Sequence, residues 1–433
     1  MEAHVGDLRR AETVQSRFAL SQGAVDRLGF WLCVGMLMIY SQAWVMLFTG
    51  PDSDAGNSDL IRNLTTPAYA VGLGLALAGG WRTMRAVVHS PALWALMGLV
   101  FLSILWSVDP STTIRRAVAV LMTSLAGLVI ASRYDWPRLT QIVATTFALL
   151  AVLSFLSAAL VPSYGRMTLL FPGAWRGVWN EKNALGDHMT MAVLACVASA
   201  ILNPHQRRMW LGFAALSFFL IVMSQSKTSL VSLFLGLMAT AFVYVVRRGP
   251  ALAVAATFIG VTALGLLVFA LVYDTEVFFK LLGKDATLTG RTVIWGAVLH
   301  EIQLRPWTGY GYGAVWSDDT TWSTLAWIKH IAKFRPYHSH DSWLNIWLDL
   351  GYGGLALWAV YYFETWTRAI LAAYRSPGAY FALPILVVYS LVALTETIAV
   401  VYNDFVWVVF VIISVRLALG ARSVEAPRAP ALA

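Results

Sequence analysis

The stretch from Gly290 to Gly354 concentrates charged and imidazole side chains in an otherwise apolar sequence. Its candidates for chemistry are Arg291, Arg305, Arg335, His338, His340 and Asp341. An imidazole whose pKa lies near neutrality is the usual proton acceptor for a hydroxyl nucleophile. The planar guanidinium of arginine binds phosphate oxygens in pairs. A base beside anion-binding groups is therefore the chemistry to look for in this stretch.

His338 and His340 are open to three interpretations. Residues two apart share a face in an extended stretch, so the two imidazoles can act together, one of them as a proton acceptor. With Asp341 they can form part of a zinc site, but no further spaced ligand completes it and we predict no metal. The third interpretation is a histidine that is only hydrogen-bonded at a helix start.

The composition indicates a polytopic membrane protein. Apolar residues make up 58% of the 433 residues and charged residues only 12%, whereas soluble proteins have about 25% charged residues. We predict a cytoplasmic N-terminus over residues 1–27, one integral membrane domain over 28–419 and a disordered cytoplasmic tail over 420–433. Cys33 and Cys196 lie inside apolar runs, which argues against a disulfide framework or a cysteine metal site.

The apolar runs predict an all-α fold of about twelve transmembrane helices, since roughly 20 apolar residues cross a bilayer. The predicted spans are Leu28–Phe48, Thr66–Gly80, Pro91–Trp106, Ala117–Ser132, Leu139–Val161, Gly186–Leu202, Met209–Ser224, Thr228–Val246, Ala251–Tyr273, Ser342–Phe363, Tyr380–Thr395 and Asp404–Leu419.

Pairs of arginines in alternate loops predict the orientation. The pairs are Arg82/Arg85, Arg133/Arg138, Arg207/Arg208, Arg247/Arg248 and Arg368/Arg375. Cytoplasmic loops of membrane proteins collect such residues, so the net charge of +8 needs no nucleic-acid partner. Both termini then face the cytoplasm. The long segment 274–341 faces outward. Its Thr289–Gln303 stretch reads as an amphipathic helix, and the apolar residues at helical spacing are Val293, Ile294, Ala297, Val298 and Ile302.

Two further predicted outer segments carry cations against the general pattern. Residues 107–116 contain Arg115 and Arg116, and residues 162–185 contain Arg166, Arg176 and Lys182. These side chains can serve lipid headgroups, as is common near a bilayer, or can form a cluster for an anionic ligand at the outer mouth of the bundle.

Four motifs resemble the O-antigen ligase and polymerase superfamily of bacterial glycan assembly. His340-Asp341, nine residues, Gly351, two residues and Gly354 is similar to the histidine motif of that family, with Asp341 where an amide or hydroxyl is more frequent. Three stretches resemble its exopolysaccharide polymerase branch: WSVDPSTTIRRA (106–117), RGVWNEKNALGDH (176–188) and GRTVIW with RPWTGYGYG (290–313).

The resemblance implies a bacterial inner-membrane glycosyltransferase with the C-type architecture and a periplasmic active site. Such an enzyme transfers a glycan from an undecaprenyl diphosphate carrier to a hydroxyl of an acceptor glycan, with inversion and without a metal or cofactor. A lipid diphosphate is already a good leaving group, so cations need only hold its charge. Further implied partners are membrane lipid and a chain-length regulator.

The resemblance also implies the roles of individual residues. His340 is the general base, and His338 is its alternative or its orienting partner. The diphosphate would be bound by Arg291, Arg176, Lys182, Arg115 and Arg116, with Asn183 and Asp341 in support. Several tryptophans of the outer segments can stack on sugar faces, although tryptophan is ordinary at a membrane interface.

Three functions are compatible with these sequence features. A polysaccharide polymerase joins lipid-linked repeat units, and the stretch RGVWNEKNALGDH favours it. A ligase that transfers glycan to lipid A core shares the His340 motif. A flippase for lipid-linked oligosaccharides would need ionisable residues along a central path within the helices, and the sequence has few of them.

Overall fold

The structure is a computed structural model that describes residues 22–50, 59–168, 171–273, 291–317 and 320–420. Within these ranges the chain is almost entirely helical, with an isolated antiparallel bridge between Arg166 and Trp175. Parts of three sequence-based predictions lie outside the described residues: the N-terminus (1–21), the long segment (274–290) and the tail (421–433).

The α-helices of the described residues are numbered in chain order. They are α1 Gln22–Tyr40, α2 Val45–Thr49, α3 Asp59–Gly79, α4 Trp81–Val88, α5 Pro91–Leu102, α6 Pro110–Arg133, α7 Trp136–Leu160, α8 Pro162–Gly165, α9 Lys182–Leu202, α10 Arg207–Ser224, α11 Lys227–Val246, α12 Pro250–Tyr273, α13 Arg291–Leu304, α14 Thr324–Ala332, α15 Ser342–Arg375, α16 Ala379–Ala393 and α17 Phe405–Leu419. Short 3-10 turns are Ser103–Leu105, Pro204–Gln206 and Val315–Ser317.

Each of the twelve predicted spans overlaps a helix of the structure, and the multi-pass character is confirmed. Among the described residues, six helical stretches are long and apolar enough to cross a membrane, and the bent pair α4–α5 makes a seventh. The pair turns by 82° at the residues before Pro91. The count of twelve spans, their orientation and the C-type architecture stay predictions.

Aspartate side chains determine where four of the long helices begin. In each case the carboxylate accepts a hydrogen bond from the backbone N–H three residues later, which satisfies a donor that the helix leaves unpaired. These residues are Asp109, Asp135, Asp341 and Asp404, at the starts of α6, α7, α15 and α17. Asp109 lies within the 106–117 motif and Asp341 follows His340, so two of these helix starts position stretches with candidate chemistry.

The interior of the bundle depends on close helix approach. Helix α6 packs on α17 at Gly127, where an added Cβ would lie 2.8 Å from Val411 Cβ and 2.9 Å from the Val408 carbonyl oxygen. Small residues of this kind allow helices in membranes to approach. Helix α9 packs against α7, α10 and α11, and α11 also contacts α16. Helices α9 and α17 therefore lie at the centre of the bundle, and their packing fixes the loops at their ends.

The segment that contains α13 and α14 has its own apolar core. Ile294, Ala297, Val298 and Ile302 of α13 are buried there with residues of α14 and of the first half of α15. The predicted helix therefore exists over Arg291–Leu304, but the prediction that Val293 belongs to its apolar face is wrong, because Val293 is 43% exposed. Helix α13 packs on protein, so its N-terminal Arg291 has a defined position.

Helix α15 breaks at Gly351, whose φ of 66° and ψ of −164° are not helical. The carbonyl oxygens of Leu348 and Asp349 instead accept hydrogen bonds from the N–H groups of Tyr310 and Gly311, at 3.0 and 2.9 Å. Glycine is required here because of its positive φ and the close backbone. The glycine-rich turn after α13 is thus fastened to the break, which joins both ends of the segment to α15.

Candidate active site

His340 lies in the last turn of the loop before α15, in an unusual backbone conformation. Its φ is 53°, a left-handed value that non-glycine residues rarely adopt. The loop is held on both sides: the indole N–H of Trp295 donates to the Ser339 carbonyl at 3.0 Å, and Asp341 caps α15. The conformation orients the imidazole away from the helix and toward the linker between α16 and α17.

Glu396 in that linker joins the two residues on which the sequence-based site is centred. Its Oε2 lies 2.9 Å from His340 Nδ1, and its Oε1 is in contact with Arg291 Nη2. The three side chains are only partly exposed, at 24% for His340, 21% for Glu396 and 15% for Arg291. One carboxylate therefore holds the imidazole and the guanidinium at the same place.

The linker is itself fixed by the start of α15. The hydroxyl of Ser342 donates to the Glu396 carbonyl at 2.9 Å and accepts from the N–H groups of Ile398 and Ala399. A further hydroxyl pair, Ser339 and Thr397, lies 3.3 Å apart. Ser339 and Ser342, on either side of His340, thus hold the backbone that carries Glu396. The distance between His340 and Glu396 is therefore fixed by backbone contacts as well as by the two side chains.

The charge on Glu396 results from opposing effects. Burial alone would raise the pKa of this carboxyl, but the hydrogen bond with His340 and the charge of Arg291 outweigh it and hold the pKa below its usual 4.5. The ionised carboxylate is only an acceptor. His340 Nδ1 is therefore the donor in this pair, and Nε2 is the ring nitrogen that does not face Glu396.

His338 packs against His340, with ring centroids 4.1 Å apart. Its Nδ1 accepts the backbone N–H of His340 at 3.2 Å. Burial, together with the nearby His340 and Arg291, lowers the pKa of His338 to about 4, although Glu396 opposes this shift. His338 is therefore neutral near pH 7, and with Nδ1 engaged it fits an orienting role better than that of the proton acceptor.

The same residues are a candidate donor set for a metal ion. One ligand atom each from His338, His340 and Glu396 lies within 4.8 Å of the others. Glu396 is the third ligand whose absence from the sequence motif argued against zinc. However, the guanidinium of Arg291 occupies the same carboxylate, and a cation there opposes binding of a second one.

Asp341 does not contact an imidazole in this structure. Its Oδ1 accepts the N–H of Leu344 at 2.9 Å, and burial raises the pKa of its carboxyl. An aspartate next to a histidine can face the imidazole and increase its basicity, but the Asp341 carboxylate is directed at the start of α15. Glu396 is the carboxylate in that position, and Asp341 acts through the helix start that holds His340.

The two arginines at the start of α6 have different environments. Arg116 is 9% exposed, and its guanidinium contacts the Gly313 carbonyl and lies 5.4 Å from the centre of the Tyr402 ring. Arg115 is exposed and donates to the Thr112 hydroxyl at 2.8 Å. Arg116 connects α6 to the glycine-rich turn after α13, whereas Arg115 remains accessible to a ligand.

The cations around the start of α9 make backbone contacts. Arg176 is 2% exposed and donates from Nε to the Tyr164 carbonyl at 2.8 Å. Lys182 Nζ lies 3.3 Å from the Gln225 carbonyl oxygen and 3.9 Å from the centre of the Phe171 ring. Asn183 accepts from the Ser226 hydroxyl at 3.1 Å. Their assignment to the diphosphate stays a prediction.

Sequence reasoning missed Glu396 as a member of the site. It lies 56 residues from His340 and outside the four recognised motifs, at the end of an apolar run. The available signal was its charge: ionisable residues at such positions in membrane proteins are costly and usually functional. Sequence separation gave no indication of its partner.

The comparisons with known proteins agree with the resemblance. A family model described as O-antigen ligase matches residues 212–359, which include Arg291 and His340. The exopolysaccharide production protein ExoQ of Rhizobium meliloti is 27% identical over 284 residues. That match covers 62% of this chain and 63% of ExoQ, so the chain spans less than two thirds of that relative.

The family match covers two of the three residues that meet at Glu396. The matched family region contains the arginine and the histidine that the carboxylate brings together. The chain is a multi-pass membrane protein that is similar to the O-antigen ligase family over residues 212–359 and to the exopolysaccharide production protein ExoQ.

Proposed function

We propose that this protein is a polysaccharide polymerase of the bacterial inner membrane. On the periplasmic side, it transfers a glycan from an undecaprenyl diphosphate carrier to a hydroxyl of an acceptor glycan. The observation that carries the proposal is the bridge of Glu396 between His340 and Arg291. It brings a base and an anion-binding group together, and this reaction needs both.

His340 acts as the general base through Nε2. The Nδ1 atom is held by Glu396, so the imidazole has one tautomer and one orientation before the acceptor arrives. When Nε2 takes the proton of the acceptor hydroxyl, the Glu396 carboxylate stabilises the imidazolium that forms. His338 stays neutral and positions the His340 ring and backbone.

Arg291 acts on the leaving group. A guanidinium has five N–H donors, so its contact with Glu396 leaves donors for phosphate oxygens. As the acceptor oxygen forms its bond to the anomeric carbon, the bond from that carbon to the phosphate oxygen breaks. The diphosphate keeps the electron pair, and in-line attack inverts the anomeric centre. The stabilisation of this charge by Arg291 takes the place of an acid.

The mechanism assigned to these side chains includes no metal ion. A proton acceptor, an oriented imidazole and a cation for the diphosphate are all supplied by His340, Glu396 and Arg291. Arg115 and Lys182 are the other cations proposed to contact the lipid diphosphate, because both are more accessible than Arg116 and Arg176. Arg116 and Arg176 are proposed to hold the surrounding backbone.

The proposal is tested in a bacterium that lacks this gene, complemented with the wild-type gene or with an empty vector. Lipid-linked intermediates and surface polysaccharide are both analysed. Single repeat units that accumulate on the carrier only with the empty vector are the expected result. Loss of polymer with no change in lipid-linked repeat units would contradict the polymerase assignment.

The ligase is the second candidate, because the matched family model is described as O-antigen ligase. In the same experiment, a ligase would leave long lipid-linked glycan that never reaches lipid A core. Repeat units trapped on the cytoplasmic side would instead indicate a flippase and would contradict both transferase functions.

A further inference from the structure

A cleft of about 380 Å³ lies at the opposite end of α13 from Arg291. Its lining comes from the end of α13, the turn after it, the residues before α14 and the loop before α6. The lining residues are Val108, Leu304, Arg305, Tyr310, Val315, Thr320, Trp322, Ser323 and Thr324. Ligand sites of proteins commonly have volumes of about 300–1,000 Å³.

Trp322 is a highly exposed aromatic side chain in the lining of this cleft. Its side chain is 96% exposed, whereas the side chains of Trp175, Trp179 and Trp316 are at most 9% exposed. Those three are therefore core residues. A large apolar ring that is exposed at the edge of a cleft is a ready surface for a ligand that has both an apolar face and polar edges.

The remainder of the lining is suited to the polar edges of such a ligand. Arg305 is exposed, whereas the Ser323 hydroxyl is already engaged: it donates to the Thr320 carbonyl at 2.9 Å and accepts the Ala326 N–H at 3.1 Å. The Arg305 guanidinium lies 5.1 Å from the centre of the Tyr310 ring and has no carboxylate partner among the described residues. The cleft thus combines an aromatic face with a cation that donates several hydrogen bonds.

The position of the cleft relates it to the candidate active site. Helix α13 begins at Arg291 and ends at Leu304, which lines the cleft. Fourteen residues at 1.5 Å each place the two ends about 20 Å apart. Since α13 is packed on α14 and α15, this separation is fixed. A chain of several sugars is long enough to occupy both places.

We propose that this cleft is a glycan subsite that binds one sugar ring of a chain whose reacting end lies at His340. The ring stacks on Trp322, and its oxygen atoms accept hydrogen bonds from the Arg305 guanidinium. This inference rests on the proposed function for the identity of the chain. The chain is the acceptor glycan or the glycan of the lipid-linked donor, which share this chemistry.

The binding test uses the full-length protein with His340→Ala, so that the probe is not consumed. The probe is a set of oligosaccharides from partial hydrolysis of the polysaccharide that the producing bacterium makes, followed by calorimetry. We expect Trp322→Ala to raise the Kd about five- to tenfold, as for the loss of one aromatic contact. Trp322→Phe keeps most of the affinity, and Arg305→Gln weakens binding severalfold.

Trp307→Ala is the matched control, because Trp307 is also highly exposed, at 76%, and does not line the cleft. It should leave the Kd unchanged. Equal Kd values for all variants, or no binding to the His340→Ala protein, would overturn the subsite. An equal loss of membrane-inserted protein in both tryptophan variants without a change in Kd would identify Trp322 as an interfacial side chain and would also overturn it.

Kinetics with the active enzyme distinguish the two sources of glycan. If the subsite holds the acceptor, Trp322→Ala raises the KM for long acceptors, leaves the KM for short ones unchanged and leaves kcat unchanged. If it holds the donor, the KM for the lipid-linked substrate rises instead. The binding result does not depend on whether His340 is the base, so failure of the subsite and failure of the proposed mechanism give different outcomes.

Discussion

Arg291 and Arg176 both lie in polar stretches near the ends of helices, but their guanidinium groups have different partners. Arg291 shares the Glu396 carboxylate with His340, and 15% of its side chain is exposed. Arg176 is 2% exposed and donates to backbone carbonyls of Tyr164 and Ser163. We propose that the first arrangement serves the candidate active site and that the second stabilises a turn. The partner of an arginine, more than its place in the sequence, indicates its function.

The largest loss of activity is expected when His340, the proposed base that shares Glu396 with Arg291, is removed. His340→Ala should lower the rate of polymer formation by about 10²- to 10⁴-fold, since a positioned general base contributes that much. The measurement is transfer by the purified enzyme with lipid-linked repeat units. His338→Ala is the matched control and should retain more activity, because His338 is neutral and orients its neighbour. Full activity in the His340 variant would remove the base from the mechanism.

Substitution of the two arginines should give opposite results. Arg291→Ala should lower activity by about 10²- to 10³-fold, as expected for loss of charge stabilisation, with a smaller loss of thermal stability than Arg176→Ala. Arg176→Ala should lower the free energy of unfolding by about 2–4 kcal/mol, because buried carbonyl groups lose their donor. Activity assays and thermal unfolding of both proteins are the measurements. If Arg176→Ala is stable but inactive, Arg176 belongs to the diphosphate site and the comparison is wrong.

Glu396→Gln should lower activity less than His340→Ala or Arg291→Ala does. The amide keeps the shape but not the charge, and loss of a group that orients a histidine typically costs about 10- to 100-fold. Transfer rates of Glu396→Gln and Glu396→Ala are compared. If the glutamine variant is as active as wild type, the hydrogen bond matters and the charge does not.

The charge of Glu396 also predicts a pH dependence of stability. Its pKa is lower in the folded protein than the usual 4.5, so its stabilising contribution is present above that value. The contribution is lost as the pH falls through the lower folded pKa. The difference in melting temperature between wild type and Glu396→Gln should therefore be constant from pH 7 to about pH 5 and should shrink below that. A difference that grows on acidification would contradict the ion pair.

The smallest effect is expected for metal removal. The donor set of His338, His340 and Glu396 is shared with the Arg291 cation, and the proposed chemistry does not use a metal. Dialysis of the purified enzyme against a strong chelator should leave the transfer rate unchanged. If the chelator abolishes activity and added zinc restores it, the cluster is a metal site and not a base with its orienting groups.

The sequence predicted the helices better than the site, for a physical reason. Long apolar runs determine helices locally, and each predicted span overlaps a helix of the structure. Arg291 and His340 were assigned through motifs, and the structure brings them together. Glu396 was not assigned, because its pairing depends on how the linker after α16 folds back onto the start of α15. The burial of Arg176 likewise depends on tertiary packing, which no local pattern reports.

The break of α15 at Gly351 has a consequence for how the histidine motif can vary. The nine residues between Asp341 and Gly351 connect two anchored points, the helix cap and the break. One extra residue there would rotate the preceding turn by about 100° relative to the rest of the helix. Asn345 would then leave Trp316, to which its amide oxygen is now bonded at 2.9 Å. Point substitutions within this spacing change side chains, whereas an insertion or deletion would move His340 away from Glu396.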